Sequence, residues 1–492
     1  MLRRSGNCPL EIIMRVTGFS GSYSAMSSLD LVWQLVRPEY STRMAGLQLD
    51  LSSLAGNDVE SLIQSLQHSA PLLKSLELRQ ASWEPMTIGS LASCRPSFKR
   101  LALHNVFLFP WVSPIFVNLH ELHISFDRHR LLHLQDTLPS YVEVATILGR
   151  MSELRCLELR NVFAEGSHPD LGGSLGRTIP LPKLQMLTLI DQQDCDLLSF
   201  ASLLDIPSTT CAEIKTTGRA WKSFSGAASL FSHYERIFGP VRRLKLLANG
   251  RHPQVTAEFR ASDALSVESS APSQLRLEYA LPLPSPTPPH RGITDGESLP
   301  QPPMTPLPLP MPHLIALHLG DAAPHMDGLL YLEVVSHAPT AATATATVGP
   351  SGATSSSPDC WWAALFSRAT QVQHIRATYR GAVDGLIGAL QRSRHVHQHQ
   401  HQHQHQHQHS SEQWSPRPLL FPDLRAMTLS LVDLDETVVP PSRTRGDLLL
   451  DCLERCRELR GGIRELDMSE GDDRRWARRL REIVPRVVHA DI

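Results

Sequence analysis

The sequence predicts an α/β fold: an irregular solenoid of short repeats, with a parallel sheet on the concave side and helices on the convex side. Three observations predict it. A Leu-x-x-Leu-x-Leu phrase recurs along most of the chain, and stretches of helical period lie between several copies. No Gly-rich phosphate loop or nucleophile turn of a doubly wound enzyme interrupts the alternation.

The phrase is plainest in "LKSLELRQ" (73–80) and "LRCLELRN" (154–161). Allowing Ile, Val, Met or Phe, it returns as "FKRLAL" (98–103), "LHELHI" (119–124), "LQMLTL" (184–189) and "VRRLKL" (241–246). Later copies are "LIALHL" (314–319), "LRAMTL" (424–429) and "IRELDM" (463–468), with "GLQLDL" (46–51) and "AEIKTT" (212–217) as degraded members. Apolar residues two apart share one face of a strand, and the residue between them faces the other way. The leading Leu enters the same core from the preceding turn. One unit cannot cover its own apolar face, whereas stacked units can.

Helical period follows several phrases. "NDVESLIQSLQ" spaces Val59, Leu62, Ile63 and Leu66 along one helix face, with Asn57 and Glu60 suited to a capping box. "AVDGLIGALQ" does the same with Val383, Leu386, Ile387 and Leu390, and "DLLLDCLERCRELR" with Leu449, Cys452, Leu453, Cys456 and Leu459. Strand, turn, helix, strand is the leucine-rich-repeat order. Its spacing is uneven here: Leu76, Leu101, Leu122, Leu157 and Leu187 lie 25, 21, 35 and 30 residues apart, which implies irregular repeats with insertions.

Low-complexity stretches set the expected boundaries. Residues 1–280 read as an N-terminal leucine-rich-repeat portion and 281–313 as a Pro-rich linker; 314–337 read as a repeat strand segment and 338–358 as an Ala/Thr/Ser-rich linker. Residues 359–394 form a further repeat segment, 395–412 a His-Gln loop, and 413–492 the C-terminal repeats and cap. The His-Gln dipeptide repeat has no mixed ligands and no second shell, so it reads as an expanded surface tract rather than a metal site.

The bulk numbers exclude several classes. The 492 residues are 41% hydrophobic and 20% charged, as in a folded chain, and the net charge of −2 gives no global pull toward nucleic acid. The eight cysteines are scattered without a C-x-x-C pair, which fits a reducing, intracellular location, cytoplasmic or nuclear. "MLRRSGNCPLEIIMRV" lacks the apolar run of a signal peptide, and no apolar stretch reaches the roughly 18 residues of a membrane span. The sequence therefore implies neither a membrane nor a nucleic-acid partner.

Nor does catalytic chemistry announce itself. H-E-x-x-H, G-x-x-x-x-G-K-[ST] and G-x-G-x-x-G are missing, and "GFSGS" (18–22) has the wrong spacing for a nucleophile elbow. "DLDE" (433–436) and "EGDD" (470–473) read as solvated loop acids, and "DDRRWARRLREI" as a solvated helix near the C-terminus. His120 and His123 lack a third ligand. No catalytic residue, metal ligand or cofactor is predicted.

Three stretches carry a family resemblance: "LRRSGNCPLEIIMRV", "DCWWAALFSRATQVQHIRATYRGAVDGLIGAL" (359–390), and "LLFPDLRAMTLSLVDLDE" with "LERCRELRGGIRELDM" (419–470). With the short "VVHADI" ending, the chain resembles the leucine-rich-repeat region of fungal, basidiomycete-type F-box proteins. The F-box itself is absent from residues 1–492, so the resemblance implies a Skp-type adaptor as partner only where an F-box is encoded upstream.

The expected function is a non-enzymatic scaffold for protein interaction, an F-box-type substrate-recognition module for a ubiquitin ligase whose protein substrate is unknown. Strand alternation nominates the face that would read it: Glu77, Arg79, His104, His123, Ser125, Glu158, Arg160 and Thr188. The competing expectations are an enzyme with an irregular α/β core outside known motifs, and a truncated or decaying gene product without a selected function.

Overall fold

The computed structural model describes residues 8–15, 37–51, 61, 64–65, 70–80, 86–88, 98–108, 111, 113–127, 137–164, 178–191, 197–216, 225–248, 254–259, 275–280, 326–336, 366, 369–403, 420–439, 443–460, 462–468 and 474–488. These residues form an α/β fold with parallel sheet and few helices. Its contacts divide the chain into two compact units, Met1–Phe238 with Ala261–Glu278, and Gly239–Arg260 with Tyr279–Ile492. The division falls inside the expected 1–280 portion rather than at the Pro-rich linker.

In the first unit the strands run β1 (Leu10–Arg15), β2 (Met44–Asp50), β3 (Ser75–Arg79), β4 (Arg100–His104), β5 (Glu121–Ser125), β6 (Cys156–Arg160), β7 (Met186–Asp191) and β8 (Cys211–Thr216). Each pairs in parallel with the next, in sequence order. The phrase explains this register. Leu76, Leu101, Leu122, Leu157 and Leu187 stand opposite one another, as do Leu78, Leu103, Ile124, Leu159 and Leu189. All of these are buried, and so are the leading residues Leu73, Phe98, Leu119, Leu154 and Leu184. Each fully buried Leu side chain is worth about 1.5–3 kcal/mol in transfer free energy, so three aligned columns hold the strands in register.

Helices and aromatic rings cover this core. Helix α1 (Tyr141–Leu148) starts at a capping box between Ser140 and Glu143 and buries Tyr141, Val144, Ile147 and Leu148. Tyr141 stacks on Phe163 at 4.2 Å between centroids, and Phe163 meets Phe200 of α2 (Leu197–Ser202) at 4.9 Å. Helix α3 (Ser225–Phe238) is tied to α2 by the hydroxyl of fully buried Tyr234, which donates to the Ala201 carbonyl at 3.1 Å.

The second unit repeats the plan. Strands β9 (Val241–Ala248), β11 (Tyr331–Ser336), β12 (His374–Thr378), β13 (Ala426–Ser430), β14 (Glu465–Asp467) and β15 (Arg486–Val488) pair in parallel, while β10 (Gln254–Phe259) pairs antiparallel with β9. Helix α4 (Arg380–His403) buries Val383, Leu386 and Ile387 but leaves Leu390 half-buried, with Ala389 inward instead. Helix α5 (Arg445–Arg460) buries Leu449, Cys452 and Leu453, and Cys456 is only half-buried. Gly446 is required by packing: a Cβ there would lie 2.3 Å from Cε2 of Trp476, in α6 (Arg474–Leu480).

One backbone device recurs after the strands. Asn105, Asn161, Tyr379 and Leu431, each two residues beyond the last inward side chain of a strand, have φ of 57°, 52°, 68° and 54°. In this left-handed conformation the chain turns out of the sheet, and at Asn105, Asn161 and Tyr379 the amide still bonds to the next strand. Asn161 donates to Ile190 and Tyr379 to Ser430. Asn tolerates the conformation, and its side chain adds bonds: Asn161 Nδ2 donates to the Phe126 carbonyl at 2.8 Å and Asn105 Nδ2 to that of Gln80 at 3.1 Å.

The tract from 395 was expected as a loop, but helix α4 runs through it as far as His403. The frame of "GLQLDL" is shifted: Met44, Leu47 and Leu49 face inward. In β8 the inward pair is Ala212 and Ile214. Residues 281–313, 338–358, "LIALHL", "EGDD", "GFSGS" and Val59, Leu62, Ile63 and Leu66 lie outside the described residues. Among the described residues no helix is long and apolar enough to cross a membrane.

Candidate interaction surface

The register that aligns the leucines also aligns the side chains between them. In the first unit the outward positions form three rows across β2–β8. One holds Gly46, Ser75, Arg100, Glu121, Cys156, Met186 and Cys211. The next holds Gln48, Glu77, Ala102, His123, Glu158, Thr188 and Glu213; the third holds Asp50, Arg79, His104, Ser125, Arg160, Ile190 and Lys215. Glu77, His123, Glu158 and Thr188 thus share the middle row, and Arg79, His104, Ser125 and Arg160 the row beside it. Ala102, Met186 and Ile190 depart from the polar pattern; Ala102 is buried, whereas Met186 is exposed.

These groups bond to one another. Glu77 accepts from Arg79 Nε at 2.5 Å and Gln48 Nε2 at 3.0 Å. Arg160 Nε donates to Glu158 Oε1, and His123 Nδ1 lies 3.0 Å from Glu158 Oε2. Nδ1 of His104 is 2.6 Å from the Ser125 hydroxyl, and Arg100 Nε lies 3.4 Å from Glu121. Like the bonds of an exposed helix surface, each is weak alone, but together they fix the side chains in defined positions.

Electrostatics follow from partial burial. Burial and the charge of Arg79 hold His104 below the ordinary histidine range. Burial raises the Glu158 carboxyl, but bonds from His123 and Arg160 and the Arg160 charge outweigh it and leave it lowered. Cys156 Sγ lies 3.9 Å from His123 Nε2, and with Glu158 on the far side the three resemble a nucleophile, base and orienting acid. The chemistry runs the other way. Burial and the carboxylates of Glu121 and Glu158 push the thiol up, disfavouring the thiolate. The amides of β5–β7 are moreover spent in the sheet ladder, where an oxyanion would need free donors.

The second unit has a comparable face, of which the phrases "VRRLKL", "LRAMTL" and "IRELDM" mark three strands. Lys245, Glu333, Arg376, Thr428 and Asp467 stand opposite one another, beside Arg243, Tyr331, His374, Ala426 and Glu465. Glu333 is 5% exposed and is held by Lys245 Nζ at 2.8 Å and Arg243 at 3.4 Å. Arg243 lies over the Tyr331 ring at 4.5 Å, Tyr331 against His374 at 4.8 Å, and His374 Nε2 bonds to the Thr428 hydroxyl at 3.0 Å. The signal was present as "LLYLEV" (329–334) and "VQHIRA" (372–377), whose inward residues Leu329, Leu332, Val334, Val372, Ile375 and Ala377 keep the phrase.

The DLDE acids are not simply solvated. Asp435 accepts from Trp476 Nε1 at 2.9 Å, and Glu436 from Arg445, which has no exposed surface and needs counter-charge. Among the described residues no group of three His, Cys, Asp or Glu is arranged to hold a metal ion.

No protein-family model matches the chain, and no curated protein matches it.

Proposed function

We propose that the chain is a protein-interaction scaffold: a leucine-rich-repeat solenoid whose parallel sheet forms a concave reading face, backed by helices on the convex side. The observation that supports it best is the register. One repeated phrase puts apolar side chains inward and a mixed set of charged and hydrogen-bonding side chains outward, in rows that run strand to strand. An open array of this kind offers a partner many spaced polar contacts but no enclosed reaction site. Glu77, Arg79, His104, His123, Ser125, Glu158, Arg160 and Thr188 are the contact residues in this reading, and no cofactor or metal is required.

The resemblance to F-box proteins supplies the biological role. In this reading the chain selects substrates for a ubiquitin ligase, and a Skp-type subunit docks only where an F-box is encoded upstream. The test is to express the chain together with its natural upstream coding sequence and purify it. Stoichiometric recovery of the Skp-type subunit supports the adaptor role, and its loss under gentle conditions argues for a free-standing scaffold.

An enzymatic reading rests on the Cys156, His123 and Glu158 arrangement. The raised thiol and the missing oxyanion donors in the ladder favour the scaffold instead.

A further inference from the structure

Just before four consecutive strands of the first unit stands a row of basic side chains that the acids of the reading face do not ion-pair. Lys74, Lys99, His120 and Arg155 hold the second position of four consecutive phrases. Their backbones are in register: the Lys74 carbonyl accepts from Lys99 at 2.7 Å and Arg100 at 3.0 Å, that of Lys99 from His120 at 2.7 Å and Glu121 at 2.9 Å, and that of His120 from Arg155 at 2.7 Å and Cys156 at 3.0 Å. One basic residue per strand, at strand spacings of about 4.8 Å, makes a row about 14 Å long. Lys74, Lys99 and Arg155 are exposed.

The neighbouring acids are ion-paired elsewhere, although Glu153 still attracts His120 and Arg155 through space. Glu77 is held by Arg79, Glu121 by Arg100, Glu158 by Arg160, and Glu153 by Lys183 at 2.6 Å. Among the described residues no carboxylate lies within ion-pair distance of Lys74, Lys99 or Arg155. The field is felt at His120, which burial first, then the charges of Lys99 and Arg155, hold below its ordinary range.

We propose that this row is a docking strip for an acidic segment of a partner protein, a run of about five Asp or Glu residues extended across β3–β6. The proposal rests on the reading of this sheet face as a protein-binding surface, and names the chemistry of what it binds. The strip is a single lane wide, and Glu121, Glu77 and Glu158 lie in the lanes beside it. An extended peptide fits one lane, whereas a duplex would lay phosphates over those carboxylates. A single nucleic-acid strand would need aromatic stacking platforms, and the outward positions of β3–β6 supply none beyond His104 and His123.

The test uses the full chain and a fluorescein-labelled hexaglutamate peptide, followed by anisotropy at about 0.05 M and about 0.5 M salt. Saturable binding at low salt, lost at high salt and weakened about tenfold or more by Lys99→Glu with Arg155→Glu, is the expected result. Both side chains are exposed, so the variant's melting curve should match the parent's, and the control Arg475→Glu should leave binding unchanged. The proposal is overturned if hexaglutamate does not saturate, if the double reversal changes nothing, or if an oligothymidylate displaces the peptide and binds more tightly. A photo-cross-linker at Thr188 separates the two claims. Partner adducts from Thr188 without hexaglutamate binding sink the acidic strip and leave the wider scaffold reading standing.

Discussion

Arg445 Nε donates to Asp384 Oδ1 at 2.6 Å, joining the start of α5 to α4 across 61 residues of sequence. The guanidinium has no exposed surface, and it also bonds to the Asp433 carbonyl and to Glu436 at 3.1 Å. Arg380 meets the same two acids, so the closing part of the second unit is organised around one buried cation.

Replacing that cation leaves Asp384, itself 9% exposed, without its main partner. Arg445→Met should therefore cost about 3–5 kcal/mol, read as a fall in the urea midpoint. Arg445→Met with Asp384→Leu should recover part of it, because no orphan charge remains. A loss under about 1 kcal/mol in the single variant would contradict the assignment.

The left-handed residues after the strands should respond in opposite directions. Leu431 adopts φ 54° while about half exposed, so Leu431→Asn or Leu431→Gly should stabilise by about 1 kcal/mol. Asn161→Ala keeps the unfavourable φ and loses a buried bond to Phe126, and should cost about 2 kcal/mol. Thermal melts of the two variants check the pair; shifts of the same sign would rule the account out.

Acidification should destabilise the chain. Burial, with Arg79, depresses His104, and burial depresses His374, both below the ordinary 6.5. The unfolded chain then binds protons first as pH falls through 6.5, so stability is full above that value and is lost below it. Glu158, also lowered, adds a further loss below the usual carboxylate range. Melting temperatures measured from pH 7.5 down to pH 5 should fall, and His374→Gln should flatten the slope. A flat or rising profile in the parent would be inconsistent with these shifts.

Thiol reactivity distinguishes a scaffold from a cysteine enzyme. Cys211 is exposed, Cys156 is half-buried and raised by burial and two carboxylates, and Cys452 is buried and pushed up to about 12. Iodoacetamide labelling followed by peptide mapping should therefore modify the exposed Cys8 and Cys211 before Cys156, and Cys452 last. Rapid, selective labelling of Cys156 near neutral pH would revive the enzymatic reading.

Strand order and outward faces were legible wherever Leu or Ile filled all three apolar positions, as at Leu73–Leu78 and Leu154–Leu159. They were obscured where small or unusual residues stood in. Ala377 and Ala212 bury too little surface to signal a strand, and Met44 leads a phrase that looks better two residues later. In the second unit "LLYLEV" keeps the apolar spacing with Leu329, Leu332 and Val334, and "VQHIRA" is weakened only where Ala377 closes it. The role of Glu436 depended on Arg445, whose burial no local pattern reveals. The helical course of 395–403 continues an apolar-faced helix begun at Arg380, and the polar repeat contains no Pro or Gly to stop it.

The most direct test of the scaffold claim is site-specific photo-cross-linking of the full chain in native extract. A cross-linker is placed at Thr188 or Arg160 on the outward sheet face, and at Glu143 on helix α1 as control. The account predicts a discrete protein adduct from the two sheet positions and none from Glu143. Equal adducts from all three positions, or none from the sheet face, would contradict it.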